Sequence, residues 1–514
     1  TVVRMSGWQL KYIASGEKSR QEGGKIFGSG SRAPIVIAIL VKNPAATQSG
    51  QIYFHDIGDY LTREEKLEKI SDFGSIDGIE KTHGWQKITP DAYNDWLNQR
   101  DDSFYDFIQI GNKKDKENSS LFDVYSTGLQ PRGDAWFYNY SKQKLAMNIK
   151  KSINFFNSEV DRYKKEYNSG SLKDFVRIDP FNFAWYGESY KEISRDRYYD
   201  IADGVVRVSL YRPYSKSLVY FNENMMHRVS KIPEIFPEKN SNNLIIIITG
   251  RGSTKGFSSL ISNEIVDLEC ISKGQCFPLY VYDNKKPSIL FGNQDESVYL
   301  DGEYERKYAI SDTGMIYFKK HYPEEKINQE DVFYYIYGLL HSEDYRSRYA
   351  DNLSKELPYI PCVKKIEDFW SFSKAGRELA ELHLNYETVE PYKADIDTGS
   401  LSYSQLGKDD FYVEKMKFAK KGEKDTVIYN NKIRIKNIPI EAYDYIVNGK
   451  PALEWVMERQ GVSTHKDSGI VNDANDWAIE TMNNPRYPLE LFLRVITVSL
   501  ETQKIVNSLP KLDI

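Results

Sequence analysis

A chain of 514 residues has room for two or three domains, and at 40% hydrophobic and 28% charged it has the make-up of ordinary globular material. A formal charge of −5 argues against a generic nucleic-acid coat, although a local basic groove needs no net positive charge. The longest aliphatic runs, 35–41 and 244–249, are far too short to span a bilayer, and Cys270, Cys276 and Cys362 are too few for a disulfide framework, which points to a reducing compartment.

The opening Thr1-Val2-Val3-Arg4 is not a natural start and reads as the beginning of a fragment. Residues 1–60 read as β-rich. A strand is expected over 8–14, then a glycine-rich basic loop, GEKSRQEGGKIFGSGSR, then the apolar run 33–41 as a buried central strand. Gly28-Ser-Gly-Ser-Arg-Ala33 nominally fits GxGxxA, but Pro34 and a strand follow where a dinucleotide site needs a helix. The loop can instead approach phosphates, through backbone N–H groups bared by its glycines and through Arg20, Lys25 and Arg32; the plain alternative is a surface loop. A short strand is expected over 51–56. The helix expected over 62–70 opens on a Thr62/Glu65 capping-box pair.

Residues 127–136 are turn-rich. A long polar helix is expected over 141–167, with Leu145, Ile149, Ile153 and Phe156 as its apolar stripe. From 176 to 310 strands and turns return: 205–211 alternates, Arg212-Pro213 breaks it, and 217–221 resumes. Residues 243–249 read as a buried strand, and Gly250–Gly256 as a glycine-rich turn. Positive side chains gather here near turns and strand ends: Arg195, Arg197, Arg207, Arg212, Lys216, Arg228, Lys231, Arg251, Lys255 and Lys273, with Gln275 beside the last. Lys and Arg on phosphates fix register, while Arg, Asn or Gln on base edges specify sequence. For any one of these cations the plain reading is a solvated surface charge; as a group they suggest a groove.

Three helical stripes follow between 329 and 387. Val332, Phe333, Ile336, Leu339 and Leu340 make the first. Tyr345, Tyr349, Leu353 and Leu357 make the second, stopped by Pro358. Phe369, Phe372, Ala375, Leu379 and Leu382 make the third. Residues 388–430 look polar and strand-poor, and 432–438 alternates as a strand. Pro451 sits in the first turn of a helix ending near Gly461, and 488–505 reads as a last amphipathic helix. Asp473, Asn475 and Asp476 lack EF-hand spacing and read as capping and turn residues. With seven scattered histidines and no paired CxxC, no metal is expected on this chain.

Several long strings carry a family resemblance. YYIYGLLHSEDYRSRYADNLSKELPYIP and FWSFSKAGRELAELHLNYE resemble the C-terminal part of Type ISP restriction–modification enzymes, as do YIVNGKPALEWVMERQ, DSGIVNDANDW and RYPLELFLRVITVSLET, while YRPYSKSLVYF resembles a motif shared by target-recognition parts of fused restriction–modification enzymes. RQEGGKIFGSGSRAPIVIAILVKN and IYFHDIGDYLTREEKL are similar to the family's passage out of its methyltransferase domain. The likeness runs from about Ser15 to Leu512. It implies an α/β remnant of a class I methyltransferase fold over 1–125, a helical connector over 126–175, and a mixed α+β target-recognition domain with a helical C-terminal portion over 176–514. It also implies double-stranded DNA as partner, in a single-chain bacterial cytoplasmic defence enzyme. There a nuclease, a helicase-like motor and an adenine-N6 methyltransferase lie upstream and use S-adenosylmethionine, ATP and Mg.

The chain itself lacks an Asn-Pro-Pro-Tyr loop, its Asn43-Pro44 and Asn484-Pro485 being followed by Ala and Arg. It also lacks a GxxxxGK[ST] phosphate loop. It is therefore expected to bind no cofactor and to have no methyltransferase, ATPase or nuclease activity of its own. Composition permits one other class. With 38 Tyr and 8 Trp the chain could be a non-enzymatic, aromatic-rich carbohydrate- or protein-binding module, which would line exposed rings along a platform.

Overall fold

The computed structural model describes residues 2–4, 36–42, 44–45, 47, 50–113, 120–283, 298–301 and 304–514. The strand expected over 8–14 and the glycine-rich loop, with Arg20, Lys25 and Arg32, lie outside the described residues. The chain is mixed α/β and divides into two compact units. The first holds Thr1–Asp106, Arg251–Gly256 and Arg348–Glu356; the second holds Phe107–Gly250, Phe257–Ser347 and Leu357–Ile514.

In the first unit Val36–Ala38 is the edge of a four-stranded sheet. It pairs antiparallel with Val2–Arg4, which runs parallel to Ile52–Asp56, and Gln86–Ile88 closes the other edge. The buried central strand expected at 33–41 is thus an edge strand where it is described. Val36 is 41% exposed, Ile37 43% and Leu40 88%. An aliphatic run reveals a strand, but not whether anything covers its faces.

The Arg63–Phe73 helix opens as expected. The Thr62 hydroxyl accepts the Glu65 N–H at 3.2 Å and the Glu65 carboxylate accepts the Thr62 N–H at 2.7 Å, satisfying two donors that the helix cannot. Ile57 and Ile79 form its small core with Ile70, Phe73 and Trp85. The end of the 1–106 stretch is tied to Arg348–Glu356. Asp101 and Asn352 exchange backbone–amide bonds at 2.9 and 3.1 Å, Arg100 meets Glu356 at 2.8 Å, and Lys355 meets Asp95 at 2.7 Å.

The second unit opens on two four-stranded sheets. Ser259–Ser262, Ile245–Ile248, Gln275–Pro278 and Ser126–Thr127 pair antiparallel in that order, and all four isoleucines of the second strand are fully buried. The other sheet runs Ile265–Val266, Val205–Arg212, Ser215–Phe221, Tyr138–Asn139. Its central hairpin sets Val208 opposite Leu218. The Lys142–Glu166 helix lies against this hairpin, with Ser141 as N-cap and the expected stripe buried.

Helices Gln329–Leu339 and Ile366–Leu384 cross where Gly338 and Gly376 meet. A Cβ on Gly338 would stand 2.2 Å from the Phe372 carbonyl oxygen, and one on Gly376 1.9 Å from that of Tyr334. The single helix expected between them is instead two short ones, Glu343–Arg348 and Ala350–Leu353. The break falls where the chain passes from one unit to the other, although Tyr345, Tyr349, Leu353 and Leu357 are all buried.

The region 388–430 is not strand-poor. Asp395–Asp397, Arg434–Lys436, Glu423–Ile428 and Lys417–Lys420 form an antiparallel sheet. Its inward residues, Ile396, Phe418, Val427 and Ile435, alternate with charged ones, so mean polarity conceals the period. Pro451 is the N-cap of Ala452–Arg459, one position before the first turn, and Tyr487–Asn507 is the last helix.

Candidate nucleic-acid interface

The expected cations separate by what their strands and turns do with them. Arg207 and Arg212 point into the second unit and leave the candidate set. Arg207 is 5% exposed and donates from Nη1 to the Phe236 carbonyl at 2.8 Å. Arg212 is held by Asp267 at 2.6 Å, over the Tyr211 ring. Lys216 is mostly buried and paired with Glu387 at 2.7 Å. Arg195 and Arg197 are half exposed, but both engage Glu192, at 2.9 and 3.2 Å, at the end of the Gly187–Ser194 helix. Arg251 and Lys255 belong to the turn that groups with the first unit. There the Ser253 hydroxyl accepts the Lys255 N–H at 3.0 Å.

Four candidates come together on one face of the second unit: Arg228, Lys231, Lys273 and Gln275. The edge strand Ser126–Thr127 organises them. Thr127 pairs with Gln275 across the sheet. Beyond the strand, Gln130 and Arg228 exchange backbone hydrogen bonds at 3.0 and 3.1 Å. The Ser126 hydroxyl accepts the Lys231 N–H at 3.0 Å, and the hydroxyls of Thr127 and Ser230 meet at 2.7 Å. The Gln130 amide donates to Thr127 Oγ1 at 3.3 Å, and the Gln275 amide donates to the Lys273 carbonyl at 3.0 Å. Gly250 permits this approach, because a Cβ there would strike the Lys273 carbonyl oxygen.

Further charges that sequence reasoning missed join the face. The Lys113 ammonium stands 4.2 Å above the Tyr125 ring, which stacks on Phe277 at 4.8 Å. Its pKa is pushed below the ordinary ammonium range by lost hydration and by the neighbouring charges of Lys231 and Arg228. Burial also lowers His227, reinforced by Arg132 and Arg228, which favours the neutral imidazole. Arg132 and Arg228 are exposed, and Arg228 makes no ion pair among the described residues. No local signal marks Lys113, since only the fold of the second unit brings it to Tyr125. Arg132 lies in the turn-rich segment, where its left-handed backbone, φ 61°, is the structural trace of the turn.

A pocket of about 620 Å³ lies elsewhere in the second unit, walled by Trp136, Tyr138, Tyr140 and Tyr211 and rimmed by Ser463 and Thr464. Of the charged residues that line it, Asp134 pairs with Arg212 and Glu458 with Arg459. Much of the tyrosine in this chain is core rather than platform: Tyr214, Tyr335, Tyr337, Tyr345, Tyr349 and Tyr429 are all fully buried. Among the described residues no helix is long and apolar enough to cross a membrane, and no cluster of three or more His, Cys, Asp or Glu could hold a metal ion.

The family model of the Type ISP C-terminal specificity domain matches residues 120–491. The chain belongs to the Type ISP family, whose C-terminal specificity domain fills most of its second unit. Among solved structures it is similar to a nuclease-deletion mutant of the Type ISP restriction-modification enzyme LlaGI in complex with a DNA substrate mimic, at 36% identity and a TM-score of 0.82. It is similar also to the ATP-dependent Type ISP enzyme LlaBIII bound to DNA, at 32% identity and 0.82, and to the DrdV–DNA complex, at 26% and 0.78. Each match covers 100% of this chain but only 37%, 31% and 48% of those chains, so this chain spans less than half of their length. No curated protein sequence matches it.

Proposed function

We propose that this chain is the sequence-reading part of a single-chain Type ISP restriction–modification enzyme and binds double-stranded DNA. The observation that carries this is the specificity-domain match across 120–491, on a fold shared with three relatives solved with DNA or a DNA mimic. The cationic face around Thr127 supplies the chemistry that such a role needs. In this reading adenine-N6 methylation and ATP-dependent cleavage belong to upstream methyltransferase, helicase-like and nuclease domains, in the bacterial cytoplasm. Those domains use S-adenosylmethionine, ATP and Mg, and this chain holds none of the three. Residues 1–125 close the methyltransferase domain, 126–175 connect, and 176–514 recognise the target. The strand Val36–Ala38, an edge among the described residues with Val36 and Ile37 41% and 43% exposed, supports the first of these assignments, because an exposed aliphatic edge suits a sheet that continues into further structure.

Salt dependence tests the reading. Each phosphate contact releases counterions and contributes a slope of about −0.9 to log K against log salt. Engagement of Lys113, Arg228, Lys231 and Lys273 therefore predicts a slope of about −3.6 for a duplex in fluorescence anisotropy. A slope near zero would contradict duplex binding and favour the aromatic-rich carbohydrate- or protein-binding alternative.

A further inference from the structure

We propose that the Thr127 face divides its labour: Gln130 and Gln275 read base edges, while Lys113, Arg228, Lys231 and Lys273 hold the flanking phosphates. The inference rests on the DNA-binding reading above and assigns roles within it.

Three independent features of the face lead to it. The first is the backbone. Left-handed φ is costly for residues other than Gly, Asn, Asp and His. Among the described residues only Tyr60, Arg132, Tyr214, Ser230 and Lys273 adopt it outside those types, and three of these five, Arg132, Ser230 and Lys273, stand on this one face at φ 61°, 53° and 52°. Strain of this kind persists where the surroundings hold a side chain in a required place. Here it turns two cations and the Thr127 partner.

The second is preorganisation. The Gln275 amide nitrogen is anchored on the Lys273 and Gly274 carbonyls at 3.0 and 3.3 Å, which fixes the plane of the amide. Its Oε1 makes no hydrogen bond among the described residues, and an acceptor so fixed suits the exocyclic amino group of adenine or cytosine. Gln130 is steadied by Thr127, itself held by Ser230. Its bond to Thr127 is long at 3.3 Å, so the amide can exchange it for a base edge. Both glutamines are half-buried, Gln275 on an inner strand of the sheet and Gln130 just beyond its edge strand, as base-reading groups held by a rigid scaffold should be.

The third is the arrangement of charge. The ammonium and guanidinium groups share this face with the amides. They lie close enough that Lys231 and Arg228 depress Lys113 and that Arg132 and Arg228 depress His227. Lys231 pairs with Glu234 at 2.5 Å, and like charges gathered on one face are stabilised by a polyanion.

The test begins by selecting the preferred duplex from a random pool with the full 514-residue chain. Single-base variants of that duplex are then measured against Gln130→Ala, Gln275→Ala, Lys113→Ala and Lys231→Ala, with melting temperature confirming the fold of each. The expected result is that each glutamine variant loses between about fivefold and 150-fold discrimination at one or two base positions, keeping affinity for unrelated duplexes and the wild-type salt slope. Each lysine variant should weaken all duplexes alike and make the slope shallower by about 1. Gln130 and Gln275 lie on separate elements, so misfolding of one variant leaves the other to decide. The assignment is overturned if the glutamine variants keep wild-type base preference or weaken every sequence equally. If the unaltered chain shows no salt-dependent duplex binding, the DNA reading itself falls and this division of roles falls with it.

Discussion

Arg212 donates to Asp267 at 2.6 Å, lies 3.6 Å from Asp134 and covers the Tyr211 ring at 3.9 Å, with its side chain only 12% exposed. A buried pair of this sort contributes little relative to apolar side chains of the same shape, but removing one member strands the other's charge. Arg212→Met should therefore cost about 3–5 kcal/mol in urea denaturation, because Asp267 at 3% exposure keeps no cationic partner within the pair. Arg195→Ala should cost only about 0–1 kcal/mol, since its bond to Glu192 is half in water. Equal costs would mean that interior and surface arginines contribute alike. The contrast also marks what could be read from residue types. Turns and strand ends rich in Arg and Lys are legible as a candidate region, and Arg228, Lys231, Lys273 and Gln275 belong to it. The inward turn of Arg207 was not legible. Val205–Arg212 buries Arg207 and Ser209 on one side while Val206 and Val208 on the other stay only half-buried, the reverse of what an apolar-in alternation suggests. The pleat gives the period; which face is covered depends on neighbours 20 to 60 residues away.

Helices were the most legible elements, because a stripe at three- and four-residue steps needs only local sequence. The stripes of Lys142–Glu166, Gln329–Leu339 and Ile366–Leu384 face the core as expected, and Thr62 with Glu65 starts its helix. The four-stranded sheet at 395–436 was missed because its outer face is charged, and the crossing of two helices was missed because glycine inside a helix reads as a weakness. Here it is what lets the axes approach. Gly338→Ala should destabilise the chain by about 1–3 kcal/mol by forcing a methyl against the Phe372 carbonyl, although alanine is the better helix former. Thermal melting of this variant decides the matter, and an unchanged or raised melting temperature would show that the helices can slide apart freely.

At the scale of the molecule, acid stability follows from two histidines inside the second unit. His383 contacts the Tyr337 hydroxyl at 2.6 Å and Thr502 at 2.8 Å, and burial pushes its pKa down to about 3. His341 is likewise lowered by burial, then by Arg346 and His383, and its Nε2 has no hydrogen-bond partner among the described residues. Both are bases whose folded pKa lies below the unfolded value of about 6.5. Above that pH they cost nothing. Below it the unfolded chain binds protons that the folded chain refuses, and stability falls by about 1.4 kcal/mol per pH unit for each histidine. For His383 the loss continues to about pH 3. Urea denaturation between pH 7.5 and 5 should show this slope, and His383→Gln should make it shallower; a flat profile would mean that water reaches the pair.

The threading of the two units has a practical corollary for anyone dividing the gene. The polypeptide passes between them five times, after residues 106, 250, 256, 347 and 356. A clone begun at Phe107 would still encode Arg348–Glu356 and Arg251–Gly256 while omitting their partners. Lys355 and Glu356 would be left without Asp95 and Arg100, and Asn352 without the Asp101 backbone. Expression of either half calls for excising and relinking internal segments rather than for a single cut.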